Sequence, residues 1–307
     1  MGPLLFTVCI CPISDIAISH GISYHIYADD TQLYISFNPR IPGDLERAMS
    51  TLSRCIHDIK TWMSSNCLKL NDSKTEFFVA GSPYNLRLLP QIELTIGTAK
   101  IQPVEIVRNL GVMFNSTMTL SSHVNYLRRS VNFQLRNLWR IRQFIDQDSC
   151  HHAVRALIIS RLDYCNGLFT TLSAKELTRL QRLQNNAARL IFAVGRRTDA
   201  ANLLDTLHWL PVRQRVLFKI LLYVFKSIQH ISPNYISDYF TIHVPARTLR
   251  SSSDSNRLTI PRLGNSITGD KRFHIAAAKA WNSLPVDIKS ATTTSQFKSM
   301  LKTHLFL

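Results

Sequence analysis

The stretch from Ile22 to Phe37, ISYHIYADDTQLYISF, constrains this chain more than any other. Two short runs rich in β-branched and aromatic residues, Ile22–Tyr27 and Thr31–Phe37, flank the tetrad Tyr27-Ala28-Asp29-Asp30. The pattern predicts a β-hairpin with two carboxylates at its turn. Adjacent carboxylates repel each other and are poor strand formers, so their place between two good strands calls for a reason. One reason is that Asp is a good turn residue. The other is a divalent metal. Mg²⁺ takes oxygen ligands, and two-metal phosphoryl transfer needs carboxylates fixed on a rigid element. The pair by itself leaves both readings open.

Segments on either side of the hairpin add to it. Gly2-Pro3-Leu4-Leu5-Phe6 precedes it. Trp62-Met63, Asn66, Leu68-Lys69-Leu70-Asn71 and Lys74-Thr75-Glu76 follow, then Asn109-Leu110-Gly111-Val112 and His123. In this order and spacing they resemble the reverse transcriptases of LINE-type (non-LTR) retrotransposons. The tetrad is similar to the family's Y/F-A-D-D box. Gly2 to Phe6 resembles the end of the motif before it, whose family form is roughly QGSxLGPLLF. The Trp62 to Glu76 segment resembles the next motif, W...N.LKLN..KTE, and Asn109 to His123 resembles the primer-grip segment, LGV......H. The resemblance runs from Gly2 to just past His123, and the remaining chain also looks like the C-terminal part of such elements.

The resemblance implies an α+β fold. A partial reverse-transcriptase palm of antiparallel strands plus helices would occupy residues 1–118. A basic, mainly α-helical thumb-like region would occupy 119–230, and a C-terminal tail region with a loop and two short helices 231–307. Carried over by position, Asp29 is the main metal ligand with Asp30 its neighbour, for Mg²⁺ or, in its place, Mn²⁺. Lys74 falls where the family has a proposed proton donor to the leaving pyrophosphate, a role an ammonium suits. Tyr27 would buttress the primer end, and Leu110 and Gly111 would form the primer grip. The implied partners are an RNA template, a DNA primer and dNTPs. The plainer readings are a surface Lys after a turn, a hairpin Tyr in the core, and a Gly allowing a tight strand turn.

The resemblance implies that one part of the family's catalytic set lies outside these 307 residues. In the family the first palm motif, with a further metal-binding Asp, lies upstream of QG-LGPLLF, and the match starts inside the latter. The expectation is a chain without the fingers region, the Gln and first Gly of that motif, or any N-terminal endonuclease domain. Asp15, Asp44 and Asp58 read as turn, cap and helix-surface residues, not as substitutes. Two carboxylates without the third should hold Mg²⁺ weakly. The expectation is a truncated polypeptide that does not polymerise alone, which leaves its standing as an enzyme open.

The balance of charge suggests a second route to function. The 307 residues carry a formal net charge of +16, which points to a polyanionic partner, nucleic acid before an acidic membrane surface. Arg128, Arg129, Arg136, Arg140 and Arg142 fall on one helical segment; Lys175, Arg179, Arg182 and Arg189 fall on another. Arg196-Arg197, Arg213, Arg215 and Lys219 follow. Arg-rich faces suit contacts to phosphates, and in position these resemble a thumb cradling duplex. The alternative function is therefore a non-catalytic, basic nucleic-acid-binding protein derived from the element. Trp139, Trp209 and Trp281 read as core residues.

The six cysteines show neither a CxxC pair nor zinc-finger spacing with His, so they read as free thiols. Pro3 to Ile18 is apolar but broken by Pro12 and Asp15, with no basic leader. The expectation is a nuclear or cytoplasmic protein that does not span a membrane, its oligomeric state open.

Local signals predict the remaining elements. Residues 4–19 read as a helix beneath the hairpin, crossed by Pro12. Asp44 caps a helix to Ser65 whose apolar residues recur at three- and four-residue spacing. Leu68–Leu70 and Thr75–Val79 read as strands around an Asn71-Asp72-Ser73 turn. A hairpin through Gly97 and a strand over Ile106–Phe114 follow, their strands meeting the first hairpin. Helices are expected from Val124 to Ile141, less regularly from His151 to Leu172, from the capping box Ser173–Glu176, and from Pro211 to Gln229. Ser251–Ser255 reads as flexible and Leu258–Pro261 as a strand. Phe273–Trp281 and Ser295–Leu305 read as the last helices.

Overall fold

The computed structural model describes residues 2–97, 99–243, 256–261 and 272–306; the Ser251–Ser255 segment lies outside them. The fold is α+β, in two compact units, Met1–Met118 and Thr119–Leu307.

The first unit opens with two helices, α1 (Gly2–Ile10) and α2 (Pro12–Ser19). The sequence pattern suggested one helix. Pro12 lacks an N–H and crowds the preceding turn, so the chain breaks at Cys11 and Pro12 becomes the first residue of α2. Ile13 and Ala17 of α2 join the core under the hairpin; α1 contributes only its last residue, Ile10, and leaves Leu4, Leu5 and Val8 exposed. The hairpin is β1 (Ser23–Tyr27) and β2 (Asp30–Tyr34). The second strand therefore ends before Phe37.

Next comes α3 (Asp44–Ser65), which buries Ala48, Leu52, Cys55 and Ile59 at three- and four-residue spacing. Asp44 does not cap it. Gly43 holds the cap position with φ +79, and the Asp44 carboxylate instead accepts from the Asn38 N–H at 2.7 Å, closing the loop before the helix. Asp58, on the same helix, lies 2.7 Å from His20 Nε2 and so serves α2–α3 packing.

The expected strands around Asn71 are largely absent. Asp72–Lys74 forms a 3₁₀ turn, and β3 is only Phe77–Phe78. Ser73 and Thr75 hydroxyls donate back to Asn71 (2.7 and 3.0 Å), local bonds that compete with a sheet ladder. A short α4 (Pro83–Arg87) is capped by Ser82. Two hairpins complete the unit around a short central strand: β4 (Leu94–Ile96) with β5 (Ala99–Ile101), then β6 (Pro103–Val104), then β7 (Ile106–Asn109) with β8 (Val112–Asn115). The Ile106–Phe114 stretch is thus a hairpin, not one strand. β3 pairs in parallel with β6, and each sheet has two strands, so among the described residues no ladder joins the first hairpin to the others. The unit's core is α2, α3, Ile22, Phe77, Ile92, Leu94 and Ile96.

The second unit is helical: α5 (Ser121–Ile141), α6 (Gln147–Val154), α7 (Ser160–Asp163), α8 (Ala174–Ile191), α9 (Ala200–Thr206), α10 (Val212–Ile228), α11 (Asn234–Ser237), α12 (Phe273–Asn282), α13 (Val286–Lys289) and α14 (Thr294–Phe306). A π turn at Arg155–Ile159 joins α6 to α7, which explains the irregular pattern between His151 and Leu172. The capping box at Ser173 and Glu176 forms as expected, and Pro211 is the residue before α10. Leu258 makes one bridge with Ile242 where a strand was expected. α12 and α14 pack on α10, where Phe297 stacks on Phe225 with ring centres 4.2 Å apart. Trp209 and Trp281 are buried, but Trp139 is 43 % exposed and does not belong to the core. His123 is buried beside Tyr126 and Phe169, and burial pushes its pKa below the ordinary His value. It is a packing residue of α5.

Candidate active site

The first hairpin is built from its register outward. Tyr27 pairs with Asp30, leaving Ala28 and Asp29 as a two-residue turn. Such a turn needs a positive φ, usually from Gly; here Ala28 supplies it at +54°. A non-glycine residue there costs about 1–2 kcal/mol, tolerable because Ala has the smallest side chain after Gly. The turn therefore stores strain next to the carboxylates, a common trait of functional sites. Tyr24, Ile26 and Leu33 point inward and join the core, while Ser23, His25 and Tyr27 point out. Tyr27 is 67 % exposed and is not a core residue. Asp29 and Asp30 are exposed, and no described side-chain hydrogen bond or ion pair engages either.

A second hairpin is tied to the first. Leu110 and Gly111 form the two-residue turn between β7 and β8, with φ of +43° and +84°. Positive φ at both positions is the arrangement that suits hairpin twist, and it explains Gly111 without a ligand. Just before this turn, Asn109 exchanges two hydrogen bonds with Gln32. Gln32 Nε2 donates to Asn109 Oδ1 at 2.6 Å, and Asn109 Nδ2 donates to Gln32 Oε1 at 3.1 Å. Gln32 stands two residues after Asp30, so the amide pair links the carboxylate turn to the Leu110-Gly111 turn where no ladder does. Sequence reasoning missed this pair. An amide residue close to the carboxylate turn and another beside Gly111 were the signal in the sequence, and nothing there joins positions 77 apart.

The pair carries a testable consequence. Gln32→Leu leaves the Asn109 amide half-buried without its partner, a loss of about 1–2 kcal/mol. Hydrogen exchange of the full chain should then speed up roughly tenfold in both hairpins, and Gln32→Leu/Asn109→Leu should recover part of it. Faster exchange confined to residues near Gln32 would show that the pair does not couple the two.

The other expected residues stand apart. Lys74 is exposed on its 3₁₀ turn, and no described contact joins it to Asp29 or Asp30. Among the described residues, no group of three or more His, Cys, Asp or Glu side chains is placed to hold a metal ion. In the helical unit, Arg128, Arg129, Arg136 and Arg140 are exposed on α5, and Lys175 and Arg182 on α8, with Arg179 half-exposed. Several other arginines turn inward to bond the protein itself. Arg142 donates to the carbonyls of Ile145, Leu190 and Ile191, Arg189 to that of Thr198, and Arg215 pairs with Asp163. Among the described residues, no helix is long and apolar enough to cross a membrane.

Comparison with known proteins bears on the first unit. No curated protein and no solved structure matches the chain. A family model does: residues 1–114 match reverse transcriptase (RNA-dependent DNA polymerase), so this part of the chain, with the carboxylate hairpin and the hairpin tied to it, is similar to a reverse-transcriptase domain.

Proposed function

We propose that the chain carries part of the RNA-directed DNA polymerase of a LINE-type (non-LTR) element. Residues 1–118 would be a partial palm, 119–230 a thumb-like region and 231–307 the C-terminal region. The observation that carries this reading is the carboxylate turn. Asp29 and Asp30 are exposed, free of described partners, and linked by Gln32 and Asn109 to Leu110-Gly111.

Open carboxylates on a rigid turn fit a hard divalent ion that takes its remaining ligands from water and substrate phosphates. Asp29 would be the main protein ligand of Mg²⁺ or Mn²⁺, with Asp30 beside it. Such an ion, when bound, acidifies a primer 3′-hydroxyl and neutralises charge on the transferring phosphoryl group. Tyr27 would support the primer end, Leu110 and Gly111 would hold its backbone, and Lys74 would give a proton to the leaving pyrophosphate. The partners are an RNA template, a DNA primer and dNTPs, held through phosphates by Arg128, Arg129, Arg136, Arg140, Lys175, Arg179 and Arg182.

Two neighbouring carboxylates alone hold Mg²⁺ weakly, so the chain alone is expected to give no product when incubated with an RNA template, a DNA primer, dNTPs and Mg²⁺. Primer extension that disappears in Asp29→Asn would overturn this and make the chain a complete polymerase. A second reading, a non-catalytic nucleic-acid-binding protein, is favoured by α5, which has four exposed arginines and no acidic residue. Under it, duplex binding survives Asp29→Asn unchanged.

A further inference from the structure

We propose that the solvent face of α5 is a stacking ridge for single-stranded nucleic acid, formed by Tyr126, Arg129, Phe133, Arg136 and Arg140 and continued by Phe144. The inference rests on the nucleic-acid partner proposed above and names the form of strand that this helix takes.

The spacing comes first. These positions follow one another at three or four residues, so the first five form one stripe along the helix, about 21 Å long at 1.5 Å per residue. The buried residues Val124, Leu127, Val131, Leu135 and Leu138 occupy the opposite side. Phe144 follows in the 3₁₀ turn after α5. Burial is the second observation. Tyr126 is 38 %, Phe133 54 % and Phe144 77 % exposed. Phe133 and Phe144 in particular turn most of a large aromatic ring to solvent, more than packing onto the core requires. Tyr126 also lies against His123, with ring centres 6.2 Å apart, which limits its freedom.

Charge is the third. The arginines between the rings are exposed, none is in a described ion pair, and α5 contains no Asp or Glu. Rings interleaved with guanidinium groups match a strand that offers both π-faces and phosphates. A duplex hides its base faces, so the rings would gain nothing from one. An apolar partner or a lipid surface wants a continuous apolar patch, and an arginine interrupts this stripe at nearly every turn.

The test is fluorescence anisotropy of the full chain with three labelled probes: a single-stranded RNA oligonucleotide, an abasic oligonucleotide of equal length, and a duplex. Phe133→Ala/Phe144→Ala, at exposed positions, should weaken binding of the base-bearing strand by about tenfold or more, the scale of one lost stacking contact. It should leave the abasic strand unaffected. Arg129→Gln/Arg136→Gln should weaken both and flatten the salt dependence. If the base-bearing and abasic strands bind alike, and the aromatic variant changes neither, the ridge is not a stacking platform, though the nucleic-acid partner stands. If none of the probes binds, both fall.

Discussion

Phe297→Ala is expected to destabilise the helical unit by about 3–5 kcal/mol. Phe297 is fully buried, stacks on Phe225 at 4.2 Å and lies 5.9 Å from the Trp281 ring. Truncation loses the transfer free energy of the ring and leaves a cavity that α10, α12 and α14 cannot close without moving together. Trp281 is held by more than packing, since its Nε1–H donates to the Asn256 carbonyl at 2.7 Å. Collapse of this helix onto the void would break that bond. Urea unfolding of the full chain followed by circular dichroism reads the effect. A loss under about 1 kcal/mol, the range of an ordinary surface change, would mean that the C-terminal helices are appended to the unit and not part of its core.

Arg142→Ala is the second large effect, about 2–3 kcal/mol. Its guanidinium donates from Nε to Leu190 O at 2.9 Å, from Nη2 to Ile191 O at 2.8 Å and from Nη1 to Ile145 O at 2.8 Å. Two of these carbonyls end α8, where unpaired acceptors and the negative end of the helix dipole favour a cation. Arg142→Lys should recover little, because an ammonium cannot present the planar fork. The same substitutions separate structural from ligand-facing arginines. Arg142→Ala should leave the salt dependence of nucleic-acid binding unchanged. Arg129→Gln should lower its slope by about 1 without loss of stability. The opposite outcome would exchange their roles.

The contrast shows what the sequence could reveal. Arg142 and Arg129 carry the same charge on one helical segment, yet one caps a helix 48 residues away and the other faces water. Local signals were legible. Tyr27 to Asp30 makes the turn its flanking runs imply, the apolar spacing from Leu45 to Met63 makes α3, and Ser173 with Glu176 opens α8 through side chain–backbone bonds set within one turn. Features decided by distant partners were not legible. Phe77–Phe78 pairs with Pro103–Val104 across α4 and the β4–β5 hairpin, and Gln32 finds Asn109. Asn109 and Gly111 were turn signals inside an apolar run and fold it back on itself. Trp139 followed the periodicity of a core face by one residue and lies outside it, while the outward rings of α5 are not marked by the apolar spacing, which picks out only the buried face.

The carboxylate turn is the centre of the account, and metal binding tests it most directly. Mn²⁺, whose EPR signal reports its free concentration, is titrated into the full chain with a dNTP and an RNA–DNA primer–template present, and the same is done with Asp29→Asn. The account predicts that the substitution weakens the protein-dependent Mn²⁺ binding by about tenfold or more, a scale typical of losing a partner in a metal site. Equal Mn²⁺ affinity in the two proteins would contradict it, leaving Asp29 as a turn residue and the basic helices as the functional part of the chain.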